Sequence, residues 1–191
     1  SASKLAAAAG GLGALATTWI WYGKPNLAQT LNGALAGLVS ITAGCGNMTA
    51  VGAVVAGLIG GIIVVFSIEF IEKKLKIDDA IGAASVHGVV GVWGTLVIGL
   101  WGVDGDTAIG LFNGGGASQL GFQAIGALAY AAWSVGLSFI VLGILKATMG
   151  LRVSKEVEIE GLDISEHGSG SGHAAGVGHG GGEVKKLSSQ P

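Results

Sequence analysis

Long runs without a charged residue constrain this chain more than any other feature. No Asp, Glu, Lys or Arg occurs within residues 5–23, 25–68, 80–103 or 107–145. A helix needs about 20 apolar residues to cross a bilayer, and a helix of a water-soluble bundle needs a polar face, which these runs lack. The chain is 12% charged, whereas a globular domain carries about 25%. The sequence therefore predicts an all-α, polytopic transmembrane helix bundle.

The uncharged runs divide into five predicted spans. The run over 25–68 is long enough for two helices, and the stretch TAGCGNMT at 42–49 favours a turn between them. The spans are predicted at about 5–22, 27–43, 50–71, 81–102 and 121–147. They form a membrane domain over 1–149. Residues 150–191 form a charged tail, which we expect to be flexible after about residue 168, where Gly, Ser and His dominate.

Basic residues are distributed unevenly between the connections. Alternate connections and the tail carry Lys24, Lys73, Lys74, Lys76, Lys146, Arg152 and Lys155. The opposite connections, 42–49 and 103–120, carry no basic residue, and Lys4 is the one exception to the pattern. Since cytoplasmic loops are enriched in Lys and Arg, the N-terminus is expected outside and the tail in the cytoplasm.

Several function classes are not expected. The net charge of -2 and the lack of a basic patch indicate no nucleic-acid partner. A single cysteine, Cys45, excludes an intramolecular disulfide and a multi-cysteine metal site. His167, His173 and His179 recur in the tail, but a Gly-rich segment loses much entropy in forming a metal site, so no metal or cofactor is expected. No nucleophile–base pair or phosphate-binding loop is evident, so the sequence does not predict an enzyme.

Glycines recur at a spacing that suits close contact between helices. The stretches GALAG at 33–37 and GLIGG at 57–61 place glycines four residues apart. In lipid, small residues at this spacing let helix backbones approach each other. Most of these glycines are expected to serve packing, and a few to leave room for a narrow path.

His87 lies inside an apolar run and is the main candidate for a functional residue. It falls about six residues into the span predicted at 81–102, roughly 9 Å along the axis. Ionisable residues at that depth face the bundle interior or a water path and mark function by default. Burial disfavours a charged imidazolium, so a neutral ring is expected. The alternative is a structural histidine that hydrogen-bonds a neighbouring helix.

Three stretches, in order, carry a family resemblance. They are NGALAGLVSITAGCG at 32–46, IDDAIGAASVHGVVGVWGTLVIGLW at 77–101 and GLRVSKEVEIEGLDISEHG at 150–168. The chain resembles the C-terminal half of the ammonium transporter family (Amt/Mep/Rh), and the third stretch is typical of the Amt branch. The resemblance implies that the five spans match the last five of eleven helices. It also implies a homotrimer in the plasma or inner membrane, with a narrow hydrophobic pore in each subunit.

The resemblance implies roles for residues of the pore. His87 matches the second of two neighbouring pore histidines and is expected to conduct ammonium/ammonia. Leu35, Thr42 and Ala83 match pore-side positions. A neutral imidazole in an apolar path would separate ammonium from potassium, because ammonium can release a proton and cross as ammonia. Potassium would pay the full desolvation cost.

An acidic pair precedes the histidine helix. Asp78 and Asp79 match the acidic pair at the cytoplasmic start of this helix in the family. Carboxylates at a helix N-terminus are also favoured by capping and by the helix dipole. A structural role and an ion contact therefore both remain open. Family members often carry Pro after the pair, where this chain has Ala80.

The tail segment implies a regulatory partner. Arg152, Gly161, Leu162 and Asp163 fall in the family's cytoplasmic tail motif, which couples subunits and meets PII-type signal proteins. The expected partners are thus ammonium/ammonia, membrane lipid, further copies of the chain and a PII-type protein.

The family's outer recruitment site, phenylalanine gate and first pore histidine lie on helices that have no counterpart in this sequence. The chain alone is therefore expected to lack a complete pore, and a truncated sequence is favoured over one half of a split protein. The alternative function is a non-transporting ammonium sensor or a scaffold membrane subunit.

Overall fold

The structure is a computed structural model that describes residues 2–162, and this part is mostly helical. The α-helices are α1 (Ala2–Tyr22), α2 (Leu27–Thr42), α3 (Ala50–Glu69), α4 (Val90–Trp101), α5 (Ser118–Thr148) and α6 (Lys155–Glu160). A π-helical segment over Phe70–Leu75 follows α3, and a second over Ala84–Val89 precedes α4. The prediction for Asp163 and that of a flexible end after residue 168 lie outside the described residues.

The helices differ in their capacity to cross a membrane. Three segments of the described chain are long and apolar enough, namely Ala50–Leu75, Ala84–Trp101 and Ser118–Thr148. The apolar α2 is shorter, at 16 residues, and α1 does not join this group. The described chain is therefore mostly helical, with three apolar segments of membrane-crossing length, and the five-span count remains a prediction.

The first three helices meet backbone against backbone. A Cβ atom added to Gly61 of α3 would lie 2.0 Å from the carbonyl oxygen of Gly10 in α1. Added to Gly37 of α2 or Gly57 of α3, it would lie 2.1 or 2.2 Å from the carbonyl oxygen of Ala6. A larger residue at any of these positions would collide with main chain. The glycines of GALAG and GLIGG thus allow the close contacts that their spacing predicts.

Short polar side chains mark the starts of α2 and α3. The Gln29 N–H donates to the Asn26 side-chain oxygen (3.0 Å), and the Gly52 N–H donates to the Thr49 hydroxyl oxygen (3.1 Å). Both acceptors are preferred N-cap residues, which satisfy amide groups that the helix leaves unpaired. The stretch at 42–49 accordingly ends one helix and begins the next.

A polar cluster joins the ends of α1 and α3. The Tyr22 hydroxyl donates to the Glu69 carboxylate, which also pairs with Lys73. The Lys73 ammonium lies 5.9 Å from the centroid of the Tyr22 ring. The cluster fixes one end of these two helices through side chains, beside the glycine contacts along their length.

A small β-ribbon departs from the all-α prediction. Strand β1 (Val103–Asp104) pairs antiparallel with β2 (Thr107–Ala108) after α4. Gly105 has φ +57°, and a positive φ in a two-residue turn matches the twist of paired strands. A side-chain nitrogen of Asn113 donates to the Trp101 carbonyl (2.8 Å) and holds the following turn against the end of α4. The ribbon is too short to alter the helical class of the fold.

The chain divides into two units, 1–136 and 137–191. The first holds the contacts described above. In the described part of the second, the Ser154 side chain caps α6. Arg152 forms an ion pair with Glu158.

Candidate functional site

The helical segment that carries His87 begins at a buried carboxylate. Asp79 is 6% exposed. Its Oδ1 accepts from the Ala84 N–H (2.8 Å), and its Oδ2 accepts from the Ser85 N–H (3.1 Å) and the Ser85 hydroxyl (2.8 Å). These donors belong to the first turn, whose amide groups have no partner within the helix. Asp79 therefore caps the histidine segment from five and six residues upstream.

A tight turn makes this long reach possible. The Gly82 N–H donates to the Asp79 carbonyl (2.7 Å), and Gly82 has φ +72°. A Cβ atom at Gly82 would lie 2.8 Å from the Asn32 side-chain nitrogen, so both the backbone angle and the space favour glycine. The turn includes residue 81, near which the span is predicted to start. The helical segment begins at Ala84, and His87 is thus nearer its start than expected.

His87 sits within a π-helical turn. The Val90 N–H donates to the carbonyl of Ser85, five residues earlier. Such turns occur often at functional sites. Ser85 and Val86 are buried, at 0% and 2% exposure, and His87 is exposed on the opposite side of the turn. The imidazole is therefore not buried within the described chain, and the expectation of a buried, neutral ring remains a prediction.

His87 lines a groove of about 550 Å³ that is bounded by its own helix and by the first part of α5. Gly88, Gly91 and Gly126 also line it, and a Cβ atom on any of them would meet nothing within 4 Å. These three glycines create space instead of serving helix contact. The sequence analysis expects a few glycines to leave room for a narrow path, and these three have that property.

The groove is lined mainly by apolar and small residues. Besides His87, its polar side chains in the described chain are those of Thr95, Gln123, Tyr130 and Ser134, and no Asp, Glu, Lys or Arg lines it. The Thr95 hydroxyl donates within its own helix, to the Gly91 carbonyl (3.0 Å). Such a groove suits a small polar solute that hydrogen-bonds to neutral groups, and it offers no counter-charge to a bare ion.

Sequence reasoning missed the α5 side of this groove. Gln123, Ala127, Tyr130 and Ser134 recur at intervals of four, three and four residues. This is the spacing of one face of a helix. A search for polar residues at helical spacing inside the last predicted span would have found the polar ones.

Three other predicted pore residues lie elsewhere. Leu35 is 49% exposed, and Thr42 and Ala83 are also exposed. None of the three lines the His87 groove. Leu35 and Thr42 are seven residues apart on α2, so they lie on a similar face of that helix. Their pore-side role remains a prediction.

The acidic pair divides into two environments. Asp78 is exposed, whereas Asp79 is buried. Burial raises the pKa of the Asp79 carboxyl, but the hydrogen bonds from Ala84 and Ser85 outweigh burial and hold this pKa below its ordinary value of 3.8. Asp79 is therefore ionised at neutral pH, and its oxygens are engaged by the helix that it caps.

The tail residues form a local structure. Arg152 is in the ion pair with Glu158. Gly161 ends α6 with φ +100°, a backbone conformation that favours glycine. Leu162 follows, at 46% exposure. Across residues 2–162, no group of three or more His, Cys, Asp or Glu side chains is arranged to hold a metal ion. The three tail histidines lie outside that range.

Comparison with known proteins gives consistent matches. The model of the Ammonium Transporter Family matches residues 1–171. The chain is 42% identical over 178 residues to ammonium transporter Amt2 of Archaeoglobus fulgidus, covering 87% of this chain and 37% of that protein. It is 39% identical over 160 residues to ammonium transporter Amt1 of Haloferax mediterranei, covering 84% of this chain and 29% of that protein. The chain thus spans about a third of the length of these relatives.

Solved structures match in the same way. A structure described as a sensor Amt protein superimposes with a TM-score of 0.78 at 38% identity, covering 86% of this chain and 40% of that one. Mep2 of Saccharomyces cerevisiae superimposes with a TM-score of 0.73 at 30% identity, covering 81% of this chain and 36% of that one. With a family model that matches most of the sequence and relatives that share its helices, this chain belongs to the Ammonium Transporter Family.

Proposed function

We propose that this chain forms part of a membrane pore that conducts ammonium as ammonia, with His87 in the conduction path. The observation that carries the proposal is the placement of His87 in a groove lined by neutral and small residues. The names of the curated relatives, which are ammonium transporters, support the same substrate.

The chemistry of the groove favours ammonia over metal cations. An imidazole in its neutral form offers one donor and one acceptor nitrogen, and ammonia can use both. Ammonium that releases its proton to water at the mouth of the path crosses as ammonia, and it avoids the cost of moving a charge into an apolar space. Potassium cannot avoid that cost. The groove would therefore distinguish ammonium from potassium by the ability to release a proton, because the two cations are too similar in ionic radius to be separated by size.

We further propose that additional helices complete the pore. The His87 groove is open, and Leu35, Thr42 and Ala83 are exposed. Residues of a pore wall would have this appearance if the opposite wall came from another part of the protein. In this arrangement the five helical segments are the last five of eleven, and three copies assemble in the cell membrane.

The orientation of the chain is part of the same proposal. Lys24, Lys73, Lys74 and Lys76 lie in connections that would face the cytoplasm. The tail, which includes Arg152, Gly161, Leu162 and Asp163, would then be cytoplasmic and would be the segment available to a PII-type protein. The described part of this segment contains the Arg152–Glu158 ion pair.

A second candidate function is ammonium sensing without transport. It is favoured by the likeness to the structure described as a sensor Amt protein. In this case His87 would bind the solute and no net flux would follow. The two functions are separated by measuring flux directly.

The decisive experiment measures, in proteoliposomes, both the ammonium-evoked current and the rise of internal pH that ammonia entry causes. The chain would be tested alone and as a full-length chimera, in which it is joined to the segment of a family member that it does not match. Native mass spectrometry would check that each sample assembles as a trimer. His87→Ala is expected to lower the ammonium-to-potassium permeability ratio about tenfold or more, the effect of losing one good hydrogen bond to the solute. Val89→Ala, a neighbouring exposed residue that does not line the groove, is the control and should leave the ratio unchanged.

The absence of both a current and an ammonia-driven pH change from an assembled trimer would overturn the transport proposal and favour the sensor. A current from the chain alone would overturn the proposal that further helices complete the pore.

A further inference from the structure

We infer that Asp79 is a positioning residue for His87: its carboxylate sets the rotation of the π-helical turn and thereby the direction in which the imidazole faces the groove. This inference rests on the proposed conduction role of His87. It assigns to the buried member of the acidic pair a part in selectivity, exerted without contact with the solute.

The first step is the strength of the cap. Both carboxylate oxygens of Asp79 are engaged, by the Ala84 N–H and by the N–H and hydroxyl of Ser85. Hydrogen bonds to a charged acceptor are stronger than neutral ones. Because Asp79 is only 6% exposed, water competes little for these bonds. The start of the segment is therefore held at two successive residues.

The second step is transmission through Ser85. Its N–H and hydroxyl are bound by Asp79, while its carbonyl accepts from the Val90 N–H. His87 lies between these two ends of the turn. Any rotation of Ser85 must turn His87 as well, because the intervening backbone is a single hydrogen-bonded ring.

The third step is the role of the buried side. Val86 and Val90 are buried, at 2% and 0% exposure, in the core cluster that also includes Val64 and Val65 of α3. This packing fixes the inward face of the turn. A π-turn bonds residues five apart, whereas an α-helix bonds residues four apart. If the Asp79 cap is lost, the turn can tighten to the α-helical pattern, and His87 then moves relative to the fixed valines.

The charge of Asp79 is needed for this function. The carboxylate accepts from three donors. An asparagine would offer one oxygen and one NH2 group, and the NH2 would face donors of Ser85 or Ala84. Asp79→Asn therefore removes bonds while it conserves volume. The adjacent Asp78→Asn makes the same chemical change at an exposed side chain, so it is a matched control.

The test is a double-mutant cycle on the assembled, full-length chimeric trimer. Asp79→Asn, Ser85→Ala and Asp78→Asn are each made with and without His87→Ala, and the ammonium-to-potassium permeability ratio is taken from reversal potentials. Asp79→Asn is expected to lower the ratio about tenfold, and Ser85→Ala, which loses one of the three bonds, is expected to lower it less. Asp78→Asn should match the parent. In the His87→Ala background, Asp79→Asn should produce no further loss, because the two residues act as one unit.

Three results would overturn the inference. One is an unchanged ratio in Asp79→Asn with a lowered melting temperature, which would reduce Asp79 to a structural cap. Another is an equal loss in both backgrounds, which would show that Asp79 acts independently of His87. If the Asp79→Asn variant does not assemble, the Ser85→Ala variant replaces it in the same double-mutant cycle, and the same two results would overturn the inference. The third result concerns His87. Should His87→Ala itself leave the ratio unchanged, the proposed function fails and the inference falls with it.

Discussion

Asp78 and Asp79 show how much the position of one residue decides. They are the same residue type and adjacent in sequence. Asp78 is exposed, whereas Asp79 is buried and accepts three hydrogen bonds. The sequence predicted that carboxylates would favour the start of this helix. It could not predict which of the two would be the cap, because that depends on the turn that Gly82 closes with φ +72°.

The stability of the chain should depend on pH through Asp79. Its folded pKa lies below its ordinary value of 3.8. A carboxyl with a lowered pKa contributes stability that is complete above the unfolded pKa and is lost as the pH falls through the folded pKa. We therefore expect the melting temperature in detergent to be insensitive to Asp79 between pH 7 and pH 5 and to fall below about pH 4.

Thermal unfolding followed by circular dichroism checks this expectation. Asp79→Asn should melt at a lower temperature at neutral pH and should lose less stability on acidification than the parent. Asp78→Asn serves as the reference for general effects of charge removal. An Asp79→Asn variant with the full acid sensitivity of the parent would contradict the assignment.

At the scale of helices, glycines inside apolar runs serve two purposes. Gly61 touches the backbone of α1, whereas Gly88 and Gly126 open the groove beside His87. The sequence predicted close contact from the spacing, and α1, α2 and α3 show it. The presence of a glycine in an apolar helix cannot distinguish contact from space, since a missing Cβ permits either and the neighbouring surface decides.

Alanine substitution should separate the two kinds of glycine. At Gly61 a new Cβ would lie 2.0 Å from the Gly10 carbonyl oxygen, so Gly61→Ala should lower the free energy of unfolding by about 1–3 kcal/mol, as overpacking does. At Gly126 nothing lies within 4 Å, and Gly126→Ala should be neutral or stabilising, by up to about 1 kcal/mol of helix propensity. Denaturation of the chain by sodium dodecyl sulfate in mixed micelles measures both. Equal destabilisation by the two variants would contradict the packing described for α1 and α3.

At the scale of the whole molecule, hydropathy and charge predicted the helical class and the membrane environment. Neither could predict the β-ribbon after α4, because its four strand residues depend on a turn at Gly105 and not on hydropathy. Hydropathy also could not specify what covers α5. None of the 31 residues of α5 is buried within the described chain. The helices or lipids that contact α5 therefore cannot be predicted from its hydropathy.

Topology can be tested with the natural cysteine. Cys45 is the one cysteine of the sequence and is exposed in the connection between α2 and α3. The proposed orientation puts this connection on the outer face. A membrane-impermeant maleimide should therefore label Cys45 in intact cells that express the chain.

The matching control places the only cysteine in the tail, which is proposed to be cytoplasmic. A Cys45→Ser, Lys155→Cys variant should be labelled after permeabilisation and not before, because Lys155 begins α6 in the tail. Labelling of Cys45 that requires permeabilisation would show that the chain has the opposite orientation.

The backbone contacts of α1, α2 and α3 also bear on motion. Where carbonyl oxygens meet glycine Cα atoms, as at Gly37 and Gly57, no side chain stands between the helices to change rotamer and absorb a shift. Sliding such surfaces requires atoms at contact distance to separate across a whole face at once, since closely packed interiors have low compressibility. These three helices should therefore move as one rigid body. Fluctuations on the time scale of solute passage would then fall to the histidine turn and the groove that it faces.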